Sequence, residues 1–320
     1  MKEKYTNKQI YIKLLPLIIS CFFIDIIGFG FLVGGPIIGI NIGGGDEGSF
    51  IGFLVGFVIG VILTILYQTF IANIARSSIV AMITKIETTN EIPTNVVTEG
   101  FKLSKSRFAS ITVLFLISQG IRSATGMINH GVANISTGGH RGAASTAKSI
   151  LDSISNTLIS YLSDCCLAWV FYRSNLKTGK AAIEGLALFF KKGRTLLANA
   201  KRVVVIGIIS FLSIAGISFG ISFTILHFNS GISQSIIDAM VNTFDDLSPE
   251  LMNIAIFNVI FAFVIALYLW TVIHFTFVRP FVLIGVIRNY IESGKEVEIT
   301  EEDIKSTIAR APRLSKIQDK

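Results

Sequence analysis

The chain has 320 residues, 51% of them hydrophobic and only 15% charged, with a mean hydropathy of +0.66. A soluble domain cannot hide this much apolar surface in its interior, so lipid must cover part of it. The formal charge of +7 follows the pattern of membrane loops, and no nucleic-acid partner is expected from it.

The first apolar run follows Lys2, Lys4, Lys8 and Lys13. That start resembles a signal peptide, but the run continues without a small-residue cleavage site and is expected to stay attached as a span. A helix needs about 20 apolar residues to cross a hydrocarbon layer of about 30 Å. Runs of that kind place spans near 14–40, 50–73, 108–128, 150–172, 203–226 and 251–278, the third and fourth being the more polar. The expected fold is an all-α polytopic membrane bundle of six helices over residues 1–291, followed by a short polar tail over 292–320.

Positive charge beside a span tends to stay on the cytoplasmic side. The N-terminal segment, the 74–107 loop, the 173–202 loop and the tail from Arg279 carry 4, 5, 8 and 8 of the 28 Lys and Arg. Arg141 and Lys148 fall in the alternate loops and Arg122 within a span. Both termini are therefore expected in the cytoplasm, with anionic lipids at the basic loops.

Each expected pair of spans is followed by a basic segment with helical patterning. Glu99-Gly100-Phe101-Lys102 precedes the third span, and Glu184-Gly185-Leu186 through Lys191-Lys192 precedes the fifth, a faint internal repeat. In the second segment Ile183, Leu186, Ala187, Phe190 and Leu197 share one helical face, and Lys180, Glu184, Lys191 and Lys192 lie opposite. This segment is expected to rest on the inner leaflet as an amphipathic cytoplasmic helix. Pro280 is expected to kink or end the sixth helix, leaving Phe281 to Ile291 as a separate apolar helix. Thr300 is placed to cap a short helix whose first turn holds Glu301, Glu302 and Asp303.

Along the fourth span, Ser149, Asp152, Ser153, Asn156, Ser160, Ser163 and Asp164 share one side, with Tyr161, Leu162 and Cys165 opposite. The third span carries a shorter polar face with Ser118, Arg122, Thr125 and Asn129. A charge exposed to hydrocarbon costs about 2.5 kcal/mol or more, so such faces turn inward. Asp25 adds a carboxylate in the first span. Asp25, Gln119, Arg122, Asp152, Asn156, Ser160 and Asp164 are the candidate solute or ion path, its surplus negative charge suited to a small cation. The competing reading of the same charges is a buried ion cluster that fixes helix packing.

Glycines recur at small-xxx-small spacing in Gly52/Gly56/Gly60, Gly30/Gly34, Gly35/Gly39 and Gly216/Gly220, which points to close helix packing. Gly34-Gly35-Pro36 offers the alternative of a broken first helix. Cys21, Cys165 and Cys166 lie in apolar runs and are expected to pack as small apolar residues. Gly43 to Gly48 matches G-x-G-x-x-G only in a short loop without a preceding strand, so dinucleotide binding is rejected. No phosphate loop, metal-ligand spacing or nucleophile–base pair stands out, His274 reads as an interfacial residue, and neither catalysis nor a cofactor or metal is expected.

Arg141-Gly142-Ala143-Ala144, the stretch through Phe189-Phe190 and Ala198-Asn199-Ala200, and Val278-Arg279-Pro280-Phe281-Val282-Leu283 leading to Arg288-Asn289-Tyr290 together resemble, in pattern and order, the closing part of choline-transporter-like membrane proteins. That resemblance covers about half the chain and implies a polytopic carrier of choline-like cations. The chain is shorter than those carriers, lacks their large extracellular domain, and has Arg279 where an acidic residue is expected, so no binding residue is transferred. The functional expectation is a cell-membrane permease for a small cationic or polar solute. The alternative is a non-catalytic subunit or scaffold of a larger membrane complex, with a homo-oligomer or another membrane protein as partner.

Overall fold

The computed structural model describes residues 4–43, 46–107, 160–198, 200–231, 233–234, 237 and 254–310. Among these every regular element is helical: α1 (Asn7–Gly43), α2 (Asp46–Tyr67), α3 (Asn73–Thr89), α4 (Val96–Ser106), α5 (160–172), α6 (Thr178–Ala198), α7 (Ala200–Ser210), α8 (Gly216–Phe228), α9 (Ile254–Ile273), α10 (Arg279–Lys295) and α11 (Glu301–Arg310). Among the described residues three π-turns join consecutive helices: Gln68–Ala72, Phe211–Ala215 and His274–Val278.

Among the described residues four helical runs are long and apolar enough to cross a bilayer: Asn7–Gly28, Ile51–Thr89, Val205–Phe228 and Ile254–Lys295. They coincide with the first, second, fifth and sixth expected spans. The third lies outside the described residues, as does the fourth before Ser160. From Ser160 on the fourth is helical, with Cys166, Ala168 and Val170 fully buried.

Packing groups the chain into two compact units. One comprises Met1–Cys21, Asn73–Val204 and Pro280–Lys320, the other Phe22–Ala72 and Val205–Arg279. They differ in what they show to their surroundings. Of the exposed large hydrophobic residues among those described, all but Ile12, Ile19 and Phe281 belong to the second unit. An apolar surface of that extent needs a lipid solvent. In both long helical runs the boundary falls at a π-turn: one ends at Ala72, and the other is followed by Arg279.

The first unit has a conventional core. Leu162, Cys166 and Val170 of α5 pack on Ala182, Ile183 and Leu186 of α6, with Ile304 and Ile308 of α11 against them. The apolar face of α6 is thus covered by protein, and not by the inner leaflet as its pattern led us to expect. Periodicity shows that a face is buried without showing what buries it. Beside this cluster, Trp169 stands edge-on to Tyr290, whose hydroxyl donates to the Gly185 carbonyl.

The faint repeat has a structural counterpart. Glu99 of α4 pairs with Lys85 of α3 at 2.7 Å, and Glu184 of α6 pairs with Arg173 at the end of α5 at 3.1 Å. The following glycine lets each helix approach its predecessor. A methyl at Gly100 would meet Met82, Leu17 and the Ser78 carbonyl, and one at Gly185 would meet Trp169 and the Cys166 backbone.

Two local expectations need correction. Gly34-Gly35-Pro36 does not break α1, which is continuous over Asn7–Gly43. Pro280 does not end the last long helix either. A proline ring crowds the carbonyl four residues earlier; here that carbonyl belongs to Thr276, inside the widened His274–Val278 turn, and the Arg279 N–H bonds five residues back to His274. The π-turn absorbs the clash and the helix runs on to Lys295. Thr300 does cap α11: its hydroxyl accepts from the Asp303 N–H at 3.3 Å while Asp303 Oδ2 accepts from the Thr300 N–H at 2.9 Å, a reciprocal capping box.

Candidate functional site

Two groups of polar side chains in the second unit lie next to its described π-turns. In the α1–α2 hairpin the helices cross on glycine: a methyl at Gly39 would strike the Gly52 carbonyl, and one at Gly35 the Gly56 carbonyl. Such backbone-to-backbone approach is the small-residue packing of membrane helices. Gly30, Gly34, Gly216 and Gly220 have no atom within 4 Å of where a methyl would sit, so there the spacing marks no contact among the described residues.

Toward the π-turn the crossing becomes polar. The Thr64 hydroxyl is shared between the Gly60 carbonyl of its own helix at 2.7 Å and the Gly28 carbonyl of α1 at 3.3 Å. Gly28 itself lies against the Tyr67 ring and the Gln68 amide, where Gln68 opens the turn. Asp25, one helical turn before Gly28, is half-buried and within electrostatic reach of Tyr67. The Tyr67 ring, the Gln68 amide and the Thr64 hydroxyl thus gather around Gly28, with the Asp25 carboxylate within electrostatic reach of Tyr67. Intramembrane carboxylates mark solute or proton paths by default, because hydrocarbon penalises them.

A second polar group sits where Ser210, the last residue of α7, meets His274, the first residue of the His274–Val278 π-turn. Ser210 Oγ lies 2.7 Å from His274 Nδ1 and accepts a longer bond from Trp270 Nε1 at 3.4 Å. The hydroxyl is also 3.0 Å from the Gly207 carbonyl. The imidazole tautomer decides whether Nδ1 receives the hydroxyl proton or donates its own. Ser210 is buried and His274 half-buried. At the far end of this pair, Ser233 Oγ donates to Asn258 Oδ1 at 2.6 Å, and Asn258 Nδ2 donates to the Leu226 carbonyl at 3.4 Å. Phe22 of α1 meets Phe277 of the last π-turn with ring centroids 5.7 Å apart. π-turns are rare and recur at functional sites.

Of the sequence-derived path residues, Asp25 belongs to the second unit, and Ser160 and Asp164 to the first, each half-buried. Gln119, Arg122, Asp152 and Asn156 lie outside the described residues. On α5 the hydroxyl-and-acid side is the more open one: Ser160, Ser163 and Asp164 are half-buried, while Tyr161, Leu162 and Cys165 are buried. All three cysteines are buried thiols, as their apolar surroundings imply.

The Ser210–His274 contact was missed because it joins positions 64 residues apart. The available signal was a serine and a histidine near the same end of two neighbouring apolar runs. Thr64 and Gln68 escaped notice for a similar reason, since single uncharged polar residues in a span carry little weight alone. Among the described residues no three His, Cys, Asp or Glu side chains converge as metal ligands.

No family model, curated protein or solved structure matches this chain.

Proposed function

We propose that this chain is a multi-pass cell-membrane protein with six spans and cytoplasmic termini, and that it passes a small cationic or polar solute across the bilayer. The observation that carries this reading is Asp25, half-buried and within electrostatic reach of Tyr67, with Thr64 and Gln68 on the same helix crossing. A carboxylate near an aromatic ring is the chemistry that attracts an organic ammonium group, through charge and cation–π attraction. The pattern shared with choline-transporter-like carriers points to the same solute class. In this account the residues proposed to serve the path are Asp25, Gln119, Arg122, Asp152, Asn156, Ser160 and Asp164.

The same-side placement of both termini draws support from ion pairs. Lys4 pairs with Glu87 and Glu292, Arg107 bonds to the 174–178 loop, and Lys191 pairs with Asp303. The four basic segments therefore meet in one unit. Uptake of labelled choline and other small amines into proteoliposomes tests the function. Wild type should accumulate solute above empty liposomes and Asp25→Asn should not; equal uptake by both removes Asp25 from the mechanism.

A second reading is a non-transporting subunit that anchors a membrane complex through this charged unit. It is favoured by the ion pairs that link the basic segments within the first unit. A stoichiometric partner retained in mild detergent, together with absent uptake, is the outcome that selects it.

A further inference from the structure

Between the start of α6 and α11 lies a cleft of about 480 Å³, walled by Asn175, Leu176, Lys177 and Lys180 on one side and by Glu301, Ile304 and Lys305 on the other, with Ile183 at its base. Three lysines and one glutamate are among the residues that line it. Its floor is apolar, since Ile183 is buried and Ile304 packs on the α5–α6 cluster.

Both walls are fixed by contacts that leave the cleft open. On one side Arg107 Nη1 bonds to the Leu176 carbonyl at 3.2 Å and to the Thr178 hydroxyl at 3.4 Å, while Nη2 bonds to the Ser174 carbonyl. On the other, Lys191 Nζ holds Asp303 at 2.7 Å and the Glu298 carbonyl at 3.0 Å, docking α11 beside α6. Lys177 and Lys180 are three residues apart, and the docking of α11 brings Lys305 to them from far along the chain.

We infer that this cleft binds a phosphate group, carried either by an anionic lipid headgroup or by a small soluble phosphate ester. Lysine ammonium groups bind phosphate as point charges, and their mutual repulsion is relieved when a dianion enters. Ile183 and Ile304 give the carbon skeleton of a glycerol-like ester an apolar surface to rest on. The volume lies within the range of small-ligand sites, about 300–1,000 Å³. The lipid source rests on the membrane reading above; the soluble source does not.

The test is lysine acetylation footprinting of the full chain in nanodiscs, read by mass spectrometry. One arm compares phosphatidylcholine discs with discs containing phosphatidic acid; the other adds glycerol phosphate to phosphatidylcholine discs. Lys102 and Lys105, exposed on α4, serve as references. Lys177, Lys180 and Lys305 should be protected together, about tenfold once ligand exceeds its Kd about tenfold. Protection by phosphatidic acid alone assigns the lipid source, and protection by glycerol phosphate assigns the soluble one. Absence of protection in both arms overturns the proposal, and so does equal protection of Lys102 and Lys105, which would mean diffuse attraction to a charged surface. In a Lys180→Gln, Lys305→Gln variant Lys177 should lose its protection. Hydrogen exchange over α11 confirms that the helix stays docked, and retained protection of Lys177 would contradict the site. Loss of solute uptake in these variants is not required, so the site and the transport reading fail separately.

Discussion

Glu87 and Arg288 form a buried ion pair: Arg288 Nε lies 2.8 Å from Glu87 Oε2, and the side chains are only 2% and 17% exposed. The second Glu87 oxygen accepts from Lys4 Nζ at 2.9 Å, and Arg288 also donates to the Tyr5 carbonyl and to Asn7 Oδ1. One carboxylate thereby ties the N-terminal segment, α3 and α10 together. Lys4, hydrogen-bonded to Glu292 and Glu87, has its pKa raised and stays protonated over any working pH.

Removing one member of a buried pair leaves the other charge uncompensated, at a cost of about 3–5 kcal/mol. Glu87→Ala should therefore lower the unfolding midpoint in detergent far more than Lys4→Ala, whose side chain is 52% exposed. Equal small losses for the two would show that the network does not hold the unit together.

The glycine crossing makes a sharper distinction. Gly39→Ala and Gly52→Ala each drive a methyl into a backbone carbonyl of the partner helix, which cannot move aside as a side chain could. Overpacking of this kind costs about 1–3 kcal/mol. Gly216→Ala meets open space, and helix propensity favours alanine there by about 1 kcal/mol. Thermal unfolding of the three variants should give two losses and no loss.

Asp303 provides a pH signature. Its hydrogen bond from Lys191, with those from the Thr300 N–H and hydroxyl, lowers its pKa from 3.8 to about 2. A carboxylate depressed on folding contributes stability that is complete above its unfolded pKa and is lost as pH falls through the folded value. Docking of α11 should weaken between about pH 4 and pH 2, seen as faster hydrogen exchange over Glu301–Arg310. Glu99, lowered chiefly by its bond from Lys85, titrates in the acid range too. Asp303→Asn isolates the contribution: it should remove the acid step in α11 and leave α4 unchanged.

Ser210 and His274 should be energetically coupled. Hydrogen bonds between membrane helices contribute about 0.6–2 kcal/mol. A double-mutant cycle of Ser210→Ala and His274→Phe in detergent unfolding should return a coupling of about that size. Strict additivity would mean that the 2.7 Å contact does no stabilising work.

The sequence made some of these features readable and hid others, for physical reasons. Run length alone revealed the four long apolar helices, since only a span needs 20 apolar residues in a row. Thr300 and Asp303 were legible as a cap because a capping box is local. The Glu-Gly pairs at 99–100 and 184–185 were visible as letters, but their purpose emerged only when Lys85 and Arg173 appeared opposite each glutamate. Pro280 misled because a proline rule tuned to α-geometry does not foresee a π-turn at Thr276. Of the candidate path, Asp25 was found from its charge. Thr64, Tyr67 and Gln68 were not, since what marks them is their position at a crossing.

The central claim is that the Asp25 crossing opens onto the solute path. It is tested most directly by placing a cysteine at Gln68 in a chain whose Cys21, Cys165 and Cys166 are replaced by alanine, and measuring its reaction with a membrane-impermeant thiosulfonate in sealed proteoliposomes. The account predicts labelling that slows as choline or a related amine is added. A thiol that reacts only after detergent opens the membrane, or at a rate indifferent to every amine tried, would contradict it.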